Sequence, residues 1–348
     1  MKKKIVFVVN PISGVGRQRK IEQLIVENLN QDLFDYSVRY TERIHHGTEI
    51  AREAVDKGFD CVVAVGGDGS VNDVAEGLKD SGVTMGIIPC GSGNGLARGL
   101  KIPLSPASAI KLLNQQNEHL IDSIVINDKY ISVNAAGVGF DAYIARLMKA
   151  AKTRGFAAYT NLILREYASY KNNTYTFTVD GRTLERSAWF IAVANGSQFG
   201  YNLSVAPKAK LSDGLIDISI IDKIPLDHIL ITAPMAFMNL LDHSQHAEMF
   251  RAKDLVIEGN VHKWVNIDGE GINVGNTVHF VNHPQSVKIY GRKNYPPSHE
   301  KQQHRLLHQP RFQFQRRRAR SRDARSRPSA SACQHRAPPP GWQDCHFG

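Results

Sequence analysis

Cysteine is scarce and unpaired in this 348-residue chain: Cys61, Cys90, Cys333 and Cys345 form no CxxC pair and show no metal-ligand spacing. That excludes a disulfide-stapled scaffold and a zinc module. Cys61 opens one apolar run and Cys90 ends another, which predicts buried thiols. No apolar run approaches the roughly 18 residues of a membrane-spanning helix. The longest, ILITAPMAFMNLL (229–241), is shorter and holds a proline. MKKKIVFVVNP at the start is basic and then apolar, but its apolar run stops after five residues, too few for a secretory leader. A cytoplasmic, reducing compartment is therefore expected. Two nucleotide signatures are also missing. GxxxxGK[ST] does not occur, and NPISGVG after the first strand does not fit GxGxxG, which argues against a P-loop NTPase and a dinucleotide dehydrogenase.

What is there begins with charge. Residues 294–348 hold 11 of the 43 Lys+Arg and 3 of the 33 Asp+Glu, so the preceding 293 residues carry 32 basic and 30 acidic side chains, only +2 of the net +10. The tail, with its QRRRARSRDARSRPSAS stretch, has no periodicity and cannot bury a core, so a disordered basic tail is expected there. No nucleic-acid partner is expected on the strength of that tail alone.

Strand-like and helix-like periods alternate through the first third. KIVFVVN (4–10), YSVRYTE (36–42), CVVAVGG (61–67) and MGIIPCG (85–91) read as strands; 16–30, 47–58, 71–80 and 105–116 read as helices. That spacing predicts a mostly parallel sheet with helices on both faces. From about residue 121 the pattern turns strand-rich. Two strands are expected over 121–139, one helical stretch over 141–169, a hairpin at Asp180-Gly181, a helical segment at 226–250 and two strands, NTVHFVN and SVKIYGR, over 276–292. The fold class expected is α/β: a doubly wound nucleotide domain (1–124), then an antiparallel β-sandwich (125–293), then the tail (294–348).

Three glycine-rich turns sit where parallel strands end: NPISGVG (10–16), GGDGS (66–70) and GSGNG (91–95). Ligands of such sheets bind beyond the C-terminal strand ends, where free backbone N–H groups and helix dipoles favour anions. Glycine lets backbone approach a phosphate oxygen without a Cβ in the way. Three turns at one edge therefore point to a polyphosphate. Gly66, Gly67 and Gly69 would wrap it, with Ser70 and Asn72 as hydrogen-bonding groups. Asp68 would repel phosphate, and suits a metal contact or proton acceptance; helix N-capping is the plainer alternative.

Together these residues resemble the diacylglycerol kinase and sphingosine kinase family of lipid kinases in its bacterial branch. The resemblance rests on Asn10-Pro11 with Ser13 and Gly14, on GGDGSVND, and on GSGNGLA. It extends to VAPKAKLSDGLIDI (205–218) and IDGE (267–270), so that it covers residues 4–292 in the family's motif order. It implies ATP held by Asn10, Pro11, Ser13, Gly14, Thr41, Gly67 to Asp73 and Ser92. It implies a structural Mg²⁺ on Asp213 with the carbonyls of Lys210 and Leu215. Glu270 would be the general base, and Asp68 is the carboxylate stressed in the sphingosine kinase branch. Bacterial diacylglycerol kinases show G-T-x-N-D where this chain has Gly91-Ser92-Gly93-Asn94-Gly95, the sphingosine kinase form. Asp73 replaces a Glu common in the family.

The expected activity is ATP- and Mg²⁺-dependent phosphorylation of a lipid hydroxyl, that of diacylglycerol, a sphingoid base or a polyprenol. Peripheral contact with the membrane is expected, with 229–241 (Met235, Phe237, Met238) as docking element or buried core, and a homodimer is compatible. NAD kinases share the GGDG loop and are the alternative, although their Ser-Thr-Ala-Tyr stretch is missing.

Overall fold

CVVAVG and TMGIIP are buried along their whole length, and parallel strands of that kind need cover on both faces. The computed structural model describes residues 1–13, 20–151, 155–200, 203–259 and 264–293. The basic tail, Gly14, Cys333 and Cys345 lie outside the described residues. The first part runs β1 (Lys3–Val9), α1 (Ile21–Asn28), β2 (Phe34–Tyr40), α2 (His46–Asp56), β3 (Cys61–Gly66), α3 (Asp68–Leu78), β4 (Thr84–Pro89), α4 (Gly95–Gly99) and α5 (Pro106–Leu113). β2, β1, β3 and β4 pair in parallel. The helix pairs α1–α5 and α2–α3 supply the cover. The second pair packs so closely that a Cβ on Gly77 would lie 2.5 Å from that of Ala51.

The chain continues with β5 (Glu118–Ile126), β6 (Tyr130–Ser132), β7 (Ala135–Gly139), α6 (Phe140–Ala151), α7 (Phe156–Glu166), β8 (Asn173–Val179), β9 (Arg182–Ala188) and β10 (Phe190–Ala194). Then come β11 (Gln198–Gly200), β12 (Leu203–Ser204), β13 (Ile216–Ile221), α8 (Leu226–Phe237), β14 (Ala247–Ala252), β15 (Asp254–Glu258), β16 (Trp264–Ile267), β17 (Glu270–Asn273) and β18 (Thr277–Tyr290). The last strand joins the two halves. It pairs in parallel with β4 through Lys288↔Thr84 and Ile289↔Met85, and antiparallel with β5 and β15. One sheet thereby runs β2-β1-β3-β4-β18-β15-β8-β9, and a second, antiparallel one runs β14-β13-β10-β7-β16-β17. Side chains of both, among them Ile124, Val138, Phe177, Val193, Ile218 and Phe280, form the core of the strand-rich half. Each fully buried side chain of this size contributes about 1.5–3 kcal/mol.

The α/β class with a strand-rich second half is as the sequence predicts, and the thiols of Cys61 and Cys90 are buried. Asp180 (φ 45°) and Gly181 (φ 80°) make the expected hairpin turn between β8 and β9. Four local expectations need correction. Residues 121–139 form three strands rather than two. The stretch 141–169 is two helices, because Gly155 sits at φ 93°, in the left-handed region that ends helical propagation. The segment 226–250 is α-helical only to Phe237, with one 3₁₀ turn at Leu241–His243. Asn239, at φ 61°, stops it, and 247–250 are strand. The two strands read over 276–292 are one, bent between His283 and Val287. Gln285 is left-handed there (φ 52°) and gives its N–H to Asp122 at 2.8 Å.

Candidate active site

The three glycine loops meet, and the residue types say how. Asn10 follows β1 and its amide donates to Ser70 Oγ at 3.1 Å, while its Oδ1 accepts the N–H of Ile12 at 3.1 Å. Ser13 closes the same turn, its Oγ donating to the Asn10 carbonyl at 3.0 Å. Thr41, at the end of β2, gives its N–H to the Val9 carbonyl at 2.9 Å and so stands beside this loop. The glycines of the second loop have separate duties. A Cβ on Gly66 would lie 2.4 Å from Ser70 Oγ, and one on Gly67 would lie 3.2 Å from the Cα of Gly91 in the third loop. A Cβ on Gly69 would meet no protein atom within 4 Å. Two glycines thus serve packing, and the third leaves open space.

Asp68 ties the second loop to the third. Its Oδ2 accepts the N–H of Asn94 at 2.8 Å and its Oδ1 that of Gly95 at 2.6 Å, so one carboxylate caps the start of α4. No side-chain bond caps α3 itself, which removes the plainer N-cap reading of Asp68. Loss of water raises its pKa, and the N–H groups of Gly95 and Asn94 pull back against that rise. Asn94 is left-handed (φ 53°) and keeps a buried Oδ1 with no donor. Gly95 is obligatory here, since an added Cβ would lie 2.5 Å from Asn134 Nδ2 and 2.8 Å from the Gln198 carbonyl.

Asn72 and Asp73 turn away from the loops. The Asn72 amide donates to the Ile131 carbonyl at 3.0 Å, and Asp73 Oδ1 lies 2.9 Å from His45 Nδ1. Ser92 is exposed. It lines a cleft of ≈ 840 Å³ with Gly91, Asn94, Arg98, Leu24 and Lys20, a volume suited to a small ligand.

The β16–β17 turn lies near enough to the second loop for the Asp68 charge to act on Asp268. Asp268 (φ 45°) and Gly269 (φ 95°) form a two-residue turn, and Ile267 pairs with Glu270 across it. Asp268 is buried and accepts from Ser132 Oγ (3.0 Å), Ala135 N–H (2.9 Å) and Val133 N–H (2.9 Å). Burial, with the Asp68 charge adding to it, pushes its carboxyl up to about 7 against those three donors. Glu270 follows directly. Its field acts on Asp73 and His45, and its Oε1 accepts from Lys149 Nζ of α6 at 3.2 Å. The β16–β17 turn and the start of α3 are thus close enough for charge to act between them, Asp68 on Asp268 and Glu270 on Asp73, although the two turns lie some 200 positions apart in the chain.

Residues 4–126 match the diacylglycerol kinase catalytic domain, and residues 134–291 match the YegS C-terminal NAD kinase beta sandwich-like domain. The chain belongs to the diacylglycerol kinase family of lipid kinases. The kinase is 27% identical over 284 residues to the diacylglycerol kinase of Bacillus subtilis, covering 80% of this chain and 93% of that one. It is 26% identical over 301 residues to that of Staphylococcus saprophyticus, covering 83% and 96%. A crystal structure of a diacylglycerol kinase from Bacillus anthracis shares the fold at TM-score 0.63 and 21% identity, over 84% of this chain and 98% of that one.

The kinase places Asp213 in the loop before β13. The Leu215 N–H reaches its carboxylate, and burial raises its pKa with Arg251 opposing. Arg251 Nη1 stands 3.7 Å from Asp213 Oδ2, and its Nε 2.8 Å from Asp217. Asp213 Oδ1 is buried without a donor, which fits a cation held with backbone carbonyls. Among the described residues no three His, Cys, Asp or Glu side chains cluster as a metal site. Sequence reasoning missed Lys149, His45 and the bracketing role of Asp268. Lys149 and His45 carry no local signal, being defined only by a partner far along the chain.

Proposed function

We propose that this kinase transfers the γ-phosphoryl group of ATP to a lipid hydroxyl, that of diacylglycerol first among them, at the membrane surface. One observation carries the reading: three strand-end loops are locked together by Asn10–Ser70, Gly67–Gly91 and Asp68–Asn94/Gly95 contacts, and the charge of Glu270 acts on Asp73 of the helix that follows the second loop. Phosphoryl transfer needs positioning of phosphates and a base for the acceptor hydroxyl, with little other chemistry. Backbone at Asn10, Pro11, Ser13 and Gly66 to Ser70 is suited to the triphosphate, and Thr41 and Ser92 flank it. The 1–124 part would carry ATP and the 125–293 part the lipid.

Glu270 is the better base of the two carboxylates. Both Asp68 oxygens already accept backbone N–H groups, whereas Glu270 has one lysine partner and a side chain 35% exposed. Mg²⁺ bound with the nucleotide would neutralise charge that develops on the phosphates. Asp213 with the carbonyls of Lys210 and Leu215 would hold a second, structural Mg²⁺ that fixes the loop between β12 and β13.

The direct test is incubation with labelled ATP and Mg²⁺, offering diacylglycerol, a sphingoid base and NAD separately. Label in a phospholipid product is the expected outcome; label in NAD alone would replace this reading with the NAD kinase one. Glu270→Gln should cut kcat about 10²–10⁴-fold with little change in ATP affinity. A variant turning over at the wild-type rate would remove Glu270 from the role.

A further inference from the structure

Amphipathic helices on a globular surface turn their apolar face inward. α8 does the reverse. Thr232 and Ala236 are its buried residues, while Leu230 is 84% exposed, Ile231 69%, Phe237 56% and Met238 65%. Leu226, Leu230, Pro234 and Phe237 recur at helical spacing along the outer face, with Ile231 and Met238 beside them. Six of the twelve large exposed apolar side chains among the described residues fall between Leu226 and Leu240. Concentration of that kind marks a contact surface rather than ordinary scatter. The only charged side chain on the helix is Asp227, at its first turn.

We infer that α8 is the element by which the kinase inserts into a phospholipid bilayer. This rests on the reading of the acceptor as a membrane lipid. Three observations select a bilayer over other occupants. The outer face carries no basic side chain, so hydrocarbon suits it and an acidic protein surface does not. Among the described residues no helix is long and apolar enough to cross a membrane, so a bound lipid has to be reached from the side. The helix is also linked, through one ribbon, to the third glycine loop. Its Ala236 packs in one cluster with Phe199 and Leu203 of the β11–β12 ribbon, and Asn239 just beyond it accepts from Ser204 Oγ at 2.5 Å. At the other end of that ribbon, the Gln198 carbonyl accepts from Asn134 Nδ2 at 2.8 Å and crowds Gly95 of the third loop. The Arg-rich residues 294–348 are a poor cover for an apolar stripe, having few apolar side chains of their own.

Insertion of this kind is driven by apolar area and is insensitive to salt, unlike attraction of a basic tail. The test is flotation of the full chain with zwitterionic phosphatidylcholine vesicles in about 0.5 M NaCl, where the screening length is about 4 Å. Wild type should float. Leu230→Glu with Phe237→Glu should lower the partition coefficient about 10²-fold, whereas Leu230→Met with Phe237→Leu should keep it. Both pairs should phosphorylate dispersed short-chain diacylglycerol at the wild-type rate, which shows that they fold. Failure of wild type to float, or unchanged flotation of the glutamate pair, overturns the inference. So does conversion of a dimer to a monomer by the glutamates, which would assign the face to a second copy. If no lipid is phosphorylated in either form, the acceptor reading fails while flotation still decides the docking.

Discussion

Replacing Asp68 by Asn separates a bracket from a catalytic group. The carboxylate holds two N–H groups, at 2.8 Å from Asn94 and 2.6 Å from Gly95. An amide can accept one of them at most, and its NH₂ then faces the other donor. The loss is one charge-assisted hydrogen bond plus an unpaired N–H, about 1.5–3 kcal/mol. If that cost falls on ordering the third loop around ATP, affinity drops roughly 10- to 100-fold. If it falls on folding, Tm drops by about 3–12 °C. Titration with a fluorescent ATP analogue, alongside thermal melts with and without ATP, reads both quantities in one preparation. The expected pattern is weaker ATP binding and a lower Tm, with residual turnover at saturating ATP. A variant with wild-type affinity and wild-type Tm but no turnover would refute the bracket and return Asp68 to the reacting atoms.

Gly69→Val should weaken ATP binding with Tm unchanged, because its Cβ meets no protein atom; Gly67→Val should instead lower Tm, its Cβ being pressed against Gly91. Retention of full ATP affinity by a folded Gly69→Val protein would contradict the phosphate-loop assignment. Asp268 gives a pH dependence: with its carboxyl near 7 and an unfolded value of about 3.9, the folded chain holds a proton that the unfolded chain releases. Its contribution to stability is therefore present below about pH 4 and is lost as pH rises through 7. Asp217, pushed up to about 6 by burial, acts in the same direction. Asp268→Asn should flatten the Asp268 part of the Tm–pH profile, and identical profiles for both proteins would show that it ionises freely when folded.

The parallel sheet was legible because its strands are continuous apolar runs, a pattern that depends only on burial from both sides. The glycine turns were legible as a set but not one by one. Gly66 is required by Ser70, four residues on, and Gly67 by Gly91, which no local pattern pairs with it. Asp68 looked like a metal or proton site because its neighbours in sequence are phosphate-loop glycines, whereas its partners in space are two N–H groups 26 and 27 positions away. Glu270 is singled out by the D-G-E resemblance, and its lysine partner is not, since Lys149 meets it only once α6 packs on β17. The 229–241 segment could have been core or surface. Composition cannot tell an apolar helix facing in from one facing out, and only the burial of Thr232 and Ala236 decides it.

The pairing of β18 with β4 has a consequence for synthesis. On the ribosome, β4 is complete at residue 89, but its sheet neighbour ends at residue 290. At about 5–20 residues per second, the gap of 201 residues keeps the Thr84–Met85 end of the β4 edge open for roughly 10–40 s. Nothing earlier in the chain can close it, because β5 binds β18 and not β4. A nascent chain stalled or cut before residue 277 would present that edge permanently, as a template for another strand. The half of the molecule made first is thus the half that waits longest to finish.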